Sequence, residues 1–291
     1  MSEPEQVYCG GEYVSRSEAR ISPFDRGFLF ADAVYEVSAV MGGRLVDNDF
    51  HLRRLQRSLG EVDIPMPMTL EEIETMQIEL VKRNKVEEGT VYLQVSRGNE
   101  GDRNFVAPDD LKPSLFAFTS SRKLTGTKSQ QEGVAVDLLP DPRWVRRDIK
   151  TVMLLAQVLA KKTASQKGFD DAWFFEDGLI TEGASATAFI ITQDGKVVTR
   201  ANSQAILPGC TRRAVEQLCK DEGIGFENRA FAPEEAFAAA EAFLTSASGF
   251  VTPVVRIADK VIGDGKPGPL TRRLQEIYLK TVCGVVDATA A

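Results

Sequence analysis

The order of strand-like and helix-like segments along the chain restricts the folds that it can adopt. Segments with a strand-like pattern, such as Val34–Met41 and Val134–Leu139, are mixed with segments of helical apolar spacing, such as Leu70–Lys85, without regular alternation. A doubly wound parallel sheet needs that alternation, so the pattern favours an α/β protein of mixed, α+β-like character. At 291 residues, 43% of them hydrophobic, the chain is long enough for two domains with a sizeable core.

A polar segment separates the two halves of the sequence. Residues 120–132 lack periodicity and contain Gly, Ser, Lys and Gln, which is typical of a linker. We therefore predict a small N-terminal α/β domain over residues 1–120 and an interdomain linker over 121–132. The larger C-terminal domain then spans residues 133–291.

Local signals mark the ends of several elements. Gly42-Gly43 can supply the positive φ values of a tight turn, which predicts a hairpin at the end of the Val34–Met41 strand. Thr69, with Glu72 three residues later, is placed to cap the helix that follows it. A further helix is predicted over Thr151–Ser165, with four apolar residues on one face: Val152, Leu155, Val158 and Leu159.

Composition and charge exclude several classes of function. The net charge of −7 argues against nucleic acid or an anionic membrane as the main partner. Four cysteines show neither paired nor metal-type spacing, and no signal peptide or long apolar span is present, so we expect a cytoplasmic protein. His51 is the only histidine, which disfavours a histidine-rich metal site and a Ser-His-Asp triad.

Two residues, 32 positions apart, indicate a specific chemistry. Lys150 lies where charged residues give way to an apolar run, and an amine at such an edge can be desolvated and form a Schiff base. Glu182 opens a turn of small residues, and a carboxylate near a pyridine nitrogen would keep that nitrogen protonated. Together they suggest pyridoxal phosphate chemistry, although a surface lysine and an ordinary turn remain alternatives for either segment alone.

A candidate phosphate site begins a later helix. Gly209 allows close approach of the backbone, Cys210 and Thr211 offer N–H groups, and Thr211 adds a hydroxyl. An ordinary capped helix is the alternative interpretation of this segment. Anion binding at such a helix start would be strengthened by an arginine.

These segments, in this order, resemble those of the fold-type IV pyridoxal-phosphate enzymes, the class IV aminotransferase family. The resemblance runs from about Tyr8 to Tyr278. Residues 25–37 resemble the family's Asp-Arg-Gly…Gly-Asp-Gly-Val-Tyr-Glu element, with Ala31 and Ala33 in place of glycines. The family fold implies two α/β domains with pyridoxal 5'-phosphate in the cleft between them, and a homodimer in which a partner loop completes each substrate pocket.

The resemblance also implies roles for individual residues. Lys150, in the C-terminal domain, is the catalytic residue that holds the cofactor, and Glu182 faces its ring nitrogen. Arg143 stabilises the Glu182 carboxylate, and Arg54, in the family's His-x-x-Arg-Leu pattern, pairs with the phosphate. The other implied cofactor contacts are Leu207, Cys210, Thr211, Ser246 and Ala247, with Ala247 standing where related enzymes have a hydroxyl residue.

The substrate prediction depends on two short segments. Tyr35-Glu36-Val37 looks more like the D-amino acid aminotransferases, which implies ping-pong transfer from a D-amino acid such as D-alanine to a 2-oxo acid such as 2-oxoglutarate. Strand alternation places Tyr35 and Val37 on one face, and we assign both to the substrate pocket; Tyr92 lines it or belongs to the core. In D-specific relatives an Arg-x-His pair from the partner subunit binds the substrate carboxylate. The corresponding loop here is a residue shorter and has no histidine, and the resemblance implies Arg103 for this role, alone or with Asn104 or Tyr35. An exposed loop arginine is the alternative interpretation.

Other activities remain open at this point. Within the family, the sequence is also compatible with a branched-chain aminotransferase, an R-selective amine transaminase or aminodeoxychorismate lyase, which shares the lysine, glutamate and phosphate site. Outside it, a catalytically silent protein that binds a phosphate-bearing ligand is the alternative.

Overall fold

The computed structural model describes residues 5–287, which form two compact units. The first unit contains the described residues up to Arg122 together with Ile149–Met153, and the second contains Lys123–Asp148 and the chain from Leu154 onward. Ile149–Met153 group with the first unit because this segment is hydrogen-bonded to one of its strands, whereas the sequence prediction placed Lys150 in the C-terminal domain. The predicted linker segment contains a short helix.

The first unit is built on a six-stranded antiparallel sheet. Its strand order is β2-β1-β6-β5-β3-β4, and the strands are β1 (Gln6–Cys9), β2 (Glu12–Ser15), β3 (Ala33–Met41), β4 (Arg44–Leu45), β5 (Glu88–Ser96) and β6 (Ser114–Ser121). The predicted hairpin is confirmed: β3 pairs with β4, and Gly42 and Gly43 have φ values of 56° and 72°.

Three helices accompany this sheet: α1 (Arg26–Phe30), α2 (Asn48–Glu61) and α3 (Leu70–Arg83). Apolar residues of α2 and α3, among them Leu55 and Leu80, form one core cluster with Leu93 of β5. Thr69 and Glu72 form the predicted capping box at the start of α3. The apolar faces of these helices therefore cover one face of the sheet, and the other face carries half-buried aromatic side chains.

The second unit is built on a nine-stranded mixed sheet. The order is β12-β11-β10-β13-β14-β7-β8-β9, with β15 paired to β14, and the strands are β7 (Val134–Pro140), β8 (Asp171–Glu176), β9 (Leu179–Gly183), β10 (Thr187–Ile191), β11 (Val197–Thr199), β12 (Phe226–Asn228), β13 (Glu241–Ser246), β14 (Phe250–Ile257) and β15 (Lys260–Val261). The β7–β8, β7–β14 and β11–β12 pairs are parallel and the rest antiparallel. This mixture confirms the predicted α/β class of α+β-like character.

The helices of the second unit are α4 (Lys128–Glu132), α5 (Leu155–Gln166), α6 (Cys210–Asp221), α7 (Pro233–Phe237) and α8 (Pro269–Asp287). Helix α5 begins four residues later than the sequence predicts. Its buried residues are Ala160 and Ala164, whereas Leu155, Val158 and Leu159 are 70%, 58% and 53% exposed. The periodic apolar face of this helix thus points to solvent. Over residues 5–287 we find no helix whose length and apolar character would let it cross a membrane.

Candidate active site

Lys150 lies on a short extended segment beside the start of β3. The Tyr35 N–H donates to the Lys150 carbonyl oxygen (3.0 Å), and the Val152 N–H donates to that of Ala33 (3.1 Å). The Lys150 N–H in turn points to the Ser58 hydroxyl oxygen at 3.4 Å. Backbone pairing therefore fixes the position of the lysine against the sheet.

The Lys150 side chain is half-buried, and its amine faces an aromatic surface. Nζ lies 4.3 Å from the centroid of the Tyr35 ring, which stacks on Tyr92 at 5.6 Å, and Tyr92 stacks on Phe118 at 5.0 Å. Burial raises the pKa of Tyr92, so it stays a neutral phenol. No carboxylate or other hydrogen-bond partner of Nζ occurs among residues 5–283, which leaves this amine available to a carbonyl group.

Strand alternation separates Tyr35 and Val37 from Glu36, as the sequence predicts. Glu36 is fully buried and accepts hydrogen bonds from Arg54 Nε and Nη2, both at 2.8 Å. The His51 Nδ1 atom lies 2.7 Å from the same carboxylate. Although burial opposes ionisation, Arg54 and His51 lower the pKa of Glu36 to about 2. Glu36 thus holds the arginine that the sequence assigns to the phosphate.

Glu182 is the second fully buried carboxylate, on β9. It accepts hydrogen bonds from Arg143 Nη1 and from the Leu207 N–H, which lies 3.3 Å and 3.2 Å from the two carboxylate oxygens. Arg143 also donates to Asp141, from Nε at 2.9 Å and from Nη2 at 2.7 Å. Asp141 accepts a further hydrogen bond from the Thr181 hydroxyl at 2.7 Å. The predicted contact of Arg143 with Glu182 is present, and Arg143 is shared between two carboxylates.

The two carboxylates that share Arg143 differ in their pKa. Burial raises the pKa of Glu182, and Arg143 and the Leu207 N–H offset only part of this effect. The pKa of Asp141 is lowered, since the hydrogen bonds from Arg143 and Thr181 outweigh burial there. Arg143 therefore stabilises the ionised form of Asp141 more than that of Glu182. A further cationic donor would stabilise the ionised form of Glu182.

The predicted phosphate segment forms the start of α6. Gly209 is the N-cap residue with an extended backbone (φ −67°, ψ 134°), and no side chain caps the helix. A Cβ atom at Gly209 would lie 2.8 Å from the Thr187 hydroxyl oxygen, so a larger residue would require a shift of the Thr187 side chain or of this backbone. Cys210 and Thr211 are buried in the first turn. Their N–H groups meet the requirement for binding an anion.

The second predicted phosphate segment is the turn between β13 and β14. The Ser246 hydroxyl accepts a hydrogen bond from the Gly249 N–H at 3.0 Å, and Ala247 is half-buried in the turn. The neighbouring Thr245 hydroxyl is buried, and no hydrogen-bond partner for it occurs within the described part of the chain. A buried hydroxyl without a partner is costly, so this position suits a bound polar group.

Arg103 lies in the connection between β5 and β6 and is exposed. Its guanidinium carbon lies 5.0 Å from the centroid of the Phe30 ring and 5.3 Å from that of Phe105. Among the side chains of residues 5–283 no carboxylate pairs with this arginine. The guanidinium of Arg103, the predicted carboxylate-binding arginine, is therefore not neutralised by a carboxylate of the described side chains.

The residues present fit pyridoxal phosphate in three respects. The cofactor needs an amine for its aldehyde, an acidic group for its ring nitrogen and donors for its phosphate. Lys150 supplies an amine without a carboxylate partner, and Glu182 supplies a buried carboxylate with a shared arginine. The uncapped start of α6 and the unpartnered Thr245 hydroxyl supply donors.

Sequence reasoning missed the residues that hold the predicted site residues in place. The sequence points to no role for Glu36, Asp141 or Ser58, although Glu36 accepts from Arg54, Asp141 accepts from Arg143 and the Ser58 hydroxyl lies next to the Lys150 N–H. The Asp-x-Arg spacing of residues 141–143 was the only available signal for Asp141. Contacts such as that of Glu36 with Arg54 depend on packing between distant segments, which the sequence does not display.

Comparison with known proteins extends these observations to nearly the whole chain. The chain is 34% identical over 277 residues to the D-alanine aminotransferase of Staphylococcus haemolyticus, covering 95% of this chain and 98% of that protein. The structure matches the branched-chain amino acid aminotransferase of Escherichia coli with a TM-score of 0.90 at 19% identity, over 97% and 96% of the two chains. It also matches the PLP form of the branched-chain enzyme of Thermobaculum terrenum, with a TM-score of 0.85 at 24% identity over 97% and 94% of the chains. Residues 33–257 match the model of amino-transferase class IV, and the chain therefore belongs to this family.

Proposed function

We propose that this protein is a pyridoxal-phosphate-dependent aminotransferase that transfers the amino group of a D-amino acid, such as D-alanine, to a 2-oxo acid, such as 2-oxoglutarate. The observation that carries the proposal is the Lys150 amine, which faces Tyr35 without a carboxylate partner in a chain of this family. The D-specific part is supported by the likeness to the D-alanine aminotransferase of Staphylococcus haemolyticus along 95% of the chain.

The proposal gives each part of the site a task. When bound, the cofactor supplies an electron-accepting ring that stabilises the charge left at the substrate Cα. Lys150 would hold the cofactor through its aldehyde carbon, Glu182 would keep its ring nitrogen protonated, and the start of α6 with Arg54 would hold its phosphate. The remaining assigned cofactor contacts are Leu207, Ser246 and Ala247.

Proton transfer is the task of Lys150. Once the substrate amine has replaced it at the aldehyde carbon, Nζ would carry the Cα proton of the donor amino acid to that carbon. In the second half-reaction it would carry a proton from that carbon to the carbon that was the keto carbon of the 2-oxo acid. Tyr35 lies against this amine and Val37 lies further along the same strand face, so both would shape the substrate pocket. The two half-reactions give ping-pong kinetics.

We also propose a homodimer in the cytoplasm. Exposed apolar side chains, including Leu155, Val158 and Leu159 of α5, are the kind of surface that a second copy covers. All four cysteines are free, as expected in a reducing compartment.

The test is a paired assay of the cofactor-loaded protein with D-alanine and with L-alanine, each with 2-oxoglutarate, following pyruvate. Pyruvate from D-alanine alone is the expected result. Turnover of L-alanine alone would replace the proposal with a branched-chain type of activity, and turnover of neither would favour the lyase or an amine transaminase.

A lysine variant tests the chemical role. In Lys150→Ala we expect turnover to fall by at least about 10³-fold, since the group that moves the proton is gone. The cofactor absorbance in the near-visible region should change as well, because no covalent link can form. Lys162→Ala, which removes an exposed lysine of α5, is the matched control and should behave like the wild type. Unchanged turnover in Lys150→Ala would overturn the assignment.

A further inference from the structure

The connection between β5 and β6 has no regular secondary structure around Arg103. The first half of this connection is nevertheless hydrogen-bonded to α1. The Arg26 N–H donates to the Gly98 carbonyl oxygen at 2.8 Å, and Asp25 forms an isolated antiparallel bridge with Asn99. The Ser96 hydroxyl donates to the Asp25 carboxylate at 2.8 Å. The backbone that leads toward Arg103 is therefore held by α1 and the residue before it.

The Arg26 side chain holds the same connection on both sides of Arg103. Its guanidinium is buried and donates from Nη1 to the Glu100 carboxylate at 2.7 Å and from Nε to the Asp32 carboxylate at 3.0 Å. It also donates to two backbone carbonyl oxygens after Arg103, those of Asn104 and Phe105 (3.0 Å for Phe105). A buried guanidinium with four acceptors fixes them in one geometry.

The Arg103 side chain contacts two aromatic rings, in contrast to Arg26, which pairs with carboxylates. Phe30, the last residue of α1, and Phe105 lie 5.4 Å apart between ring centroids, and the Arg103 guanidinium carbon approaches both. The Arg26 guanidinium carbon lies 4.8 Å from the same Phe30 ring. Stacking uses the face of a guanidinium and leaves its in-plane N–H groups for a planar anion.

From these contacts we propose that Arg26, Phe30 and Phe105 are positioning residues that present the Arg103 guanidinium to the carboxylate of the substrate. The inference rests on the proposed function, because it assigns the carboxylate of an amino acid or 2-oxo acid as the anion.

The arrangement has a measurable consequence for substrate binding. An arginine that already lies against two rings has less rotamer freedom left before the substrate arrives, so less entropy is lost on binding. Loss of a ring should therefore weaken carboxylate binding and leave the chemical step unchanged. The expected signature is a higher KM with the same kcat.

The experiment compares leucine variants of three phenylalanines in the cofactor-loaded protein. Phe30→Leu and Phe105→Leu should each raise the KM for D-alanine by about 3-fold, and by about 10-fold together, at unchanged kcat. Arg103→Ala should raise it by about 10- to 100-fold. Phe28→Leu is the matched control, since Phe28 belongs to the same helix and is 76% exposed, whereas the rings that the Arg103 guanidinium approaches are those of Phe30 and Phe105. Phe30→Tyr and Phe105→Tyr keep a ring and should restore the wild-type KM.

A binding measurement that needs no turnover accompanies the kinetics. The Kd of propionate, a carboxylate without an amino group, should rise in the same order across these variants. Equal values in Phe30→Leu, Phe105→Leu and Phe28→Leu would overturn the positioning role while leaving Arg103 as the carboxylate-binding residue. An unchanged KM and Kd in Arg103→Ala would overturn the inference, although pyruvate formed from D-alanine alone would still support the proposed function. If the wild type does not turn over D-alanine, the proposed function fails and the propionate series decides the positioning role by itself.

Discussion

Glu36 in the first unit and Glu182 in the second are both fully buried, and each meets an arginine, yet their pKa values move in opposite directions. Arg54 donates two hydrogen bonds to Glu36 and His51 adds a third contact. The Arg143 guanidinium donates one hydrogen bond to Glu182 and two to Asp141. Burial penalises both carboxylates, but only Glu36 receives enough donors to outweigh it.

The difference separates a carboxylate that holds an arginine in place from one that can still gain from a further cationic partner. A carboxylate whose arginine is engaged with it at two atoms is stably ionised in the folded protein. A carboxylate that shares its arginine gains from another positive donor, such as a protonated ring nitrogen, which fits the task proposed for Glu182. Substitutions of the two glutamates should therefore have opposite signatures.

The largest effect is expected for Glu36→Gln. Removing this charge leaves the Arg54 guanidinium buried without its carboxylate, which should lower the free energy of unfolding by about 3–5 kcal/mol. Urea denaturation of the protein without added cofactor measures it. Glu79→Gln, which breaks the half-exposed pair with Arg83 on α3, is the control and should cost less than about 1 kcal/mol. Equal losses in the two variants would refute the comparison.

Glu182→Gln should show the opposite pattern. Its amide oxygen can still accept the Leu207 N–H, and Arg143 remains bound to Asp141, so the free energy of unfolding should change by no more than about 1 kcal/mol. Transamination should fall by about 10²–10³-fold, since the charge that stabilises the cofactor ring is lost. Steady-state rates and urea denaturation on the same preparation check both. A destabilised protein with normal turnover would contradict this prediction.

Acid should weaken the fold through Glu36. Its pKa is about 2 in the folded protein and 4.5 as the ordinary value, so its contribution of about 3 kcal/mol is present above pH 4.5 and is lost as the pH falls toward 2. Glu182 acts in the opposite sense, because a raised pKa lowers stability as the pH rises above 4.5. Between pH 5 and pH 2 the unfolding free energy of the wild type should fall more steeply with decreasing pH than that of Glu36→Gln. Identical slopes would show that Glu36 is not the responsible group.

The smallest effect is expected for His51→Gln. The variant loses the contact of Nδ1 with Glu36 but keeps both hydrogen bonds from Arg54, so we expect a loss of about 1–2 kcal/mol. Thermal or urea unfolding measures this loss. Arg53→Gln, which breaks an exposed pair with Asp49 on the same helix, should cost about 0.5 kcal/mol or less and serves as the control. A His51→Gln cost as large as that of Glu36→Gln would shift the main role from Arg54 to the histidine.

The fold class and several element ends were predictable because they depend on neighbouring residues. The glycine pair of the β3–β4 hairpin and the Thr69 capping box are examples, since a turn or a cap is decided within four residues. The direction of the apolar face of α5 was not predictable. Periodicity identifies a face, but what covers it depends on the rest of the molecule.

The candidate site was predictable only in part, for a similar reason. Lys150, Glu182 and the start of α6 lie in recognisable local sequence, and their predicted roles await the experiments above. The pairing of Glu36 with Arg54 joins residues 18 positions apart, and that of Arg26 with Glu100 joins residues 74 apart. Such contacts follow from tertiary packing, which no local pattern encodes.

The segment Ile149–Met153 has a consequence for how the protein can be divided genetically. It pairs with residues 33–35 at the edge of β3, and Ile149 belongs to the core cluster of the first unit. A gene truncated after Arg122 would therefore encode a sheet with an unpaired edge, a gap in its core and no Lys150. The two units therefore cannot be expressed as two consecutive gene fragments that each encode one complete unit. In a fragment-complementation experiment, the segment Ile149–Met153 would have to be supplied to the first fragment.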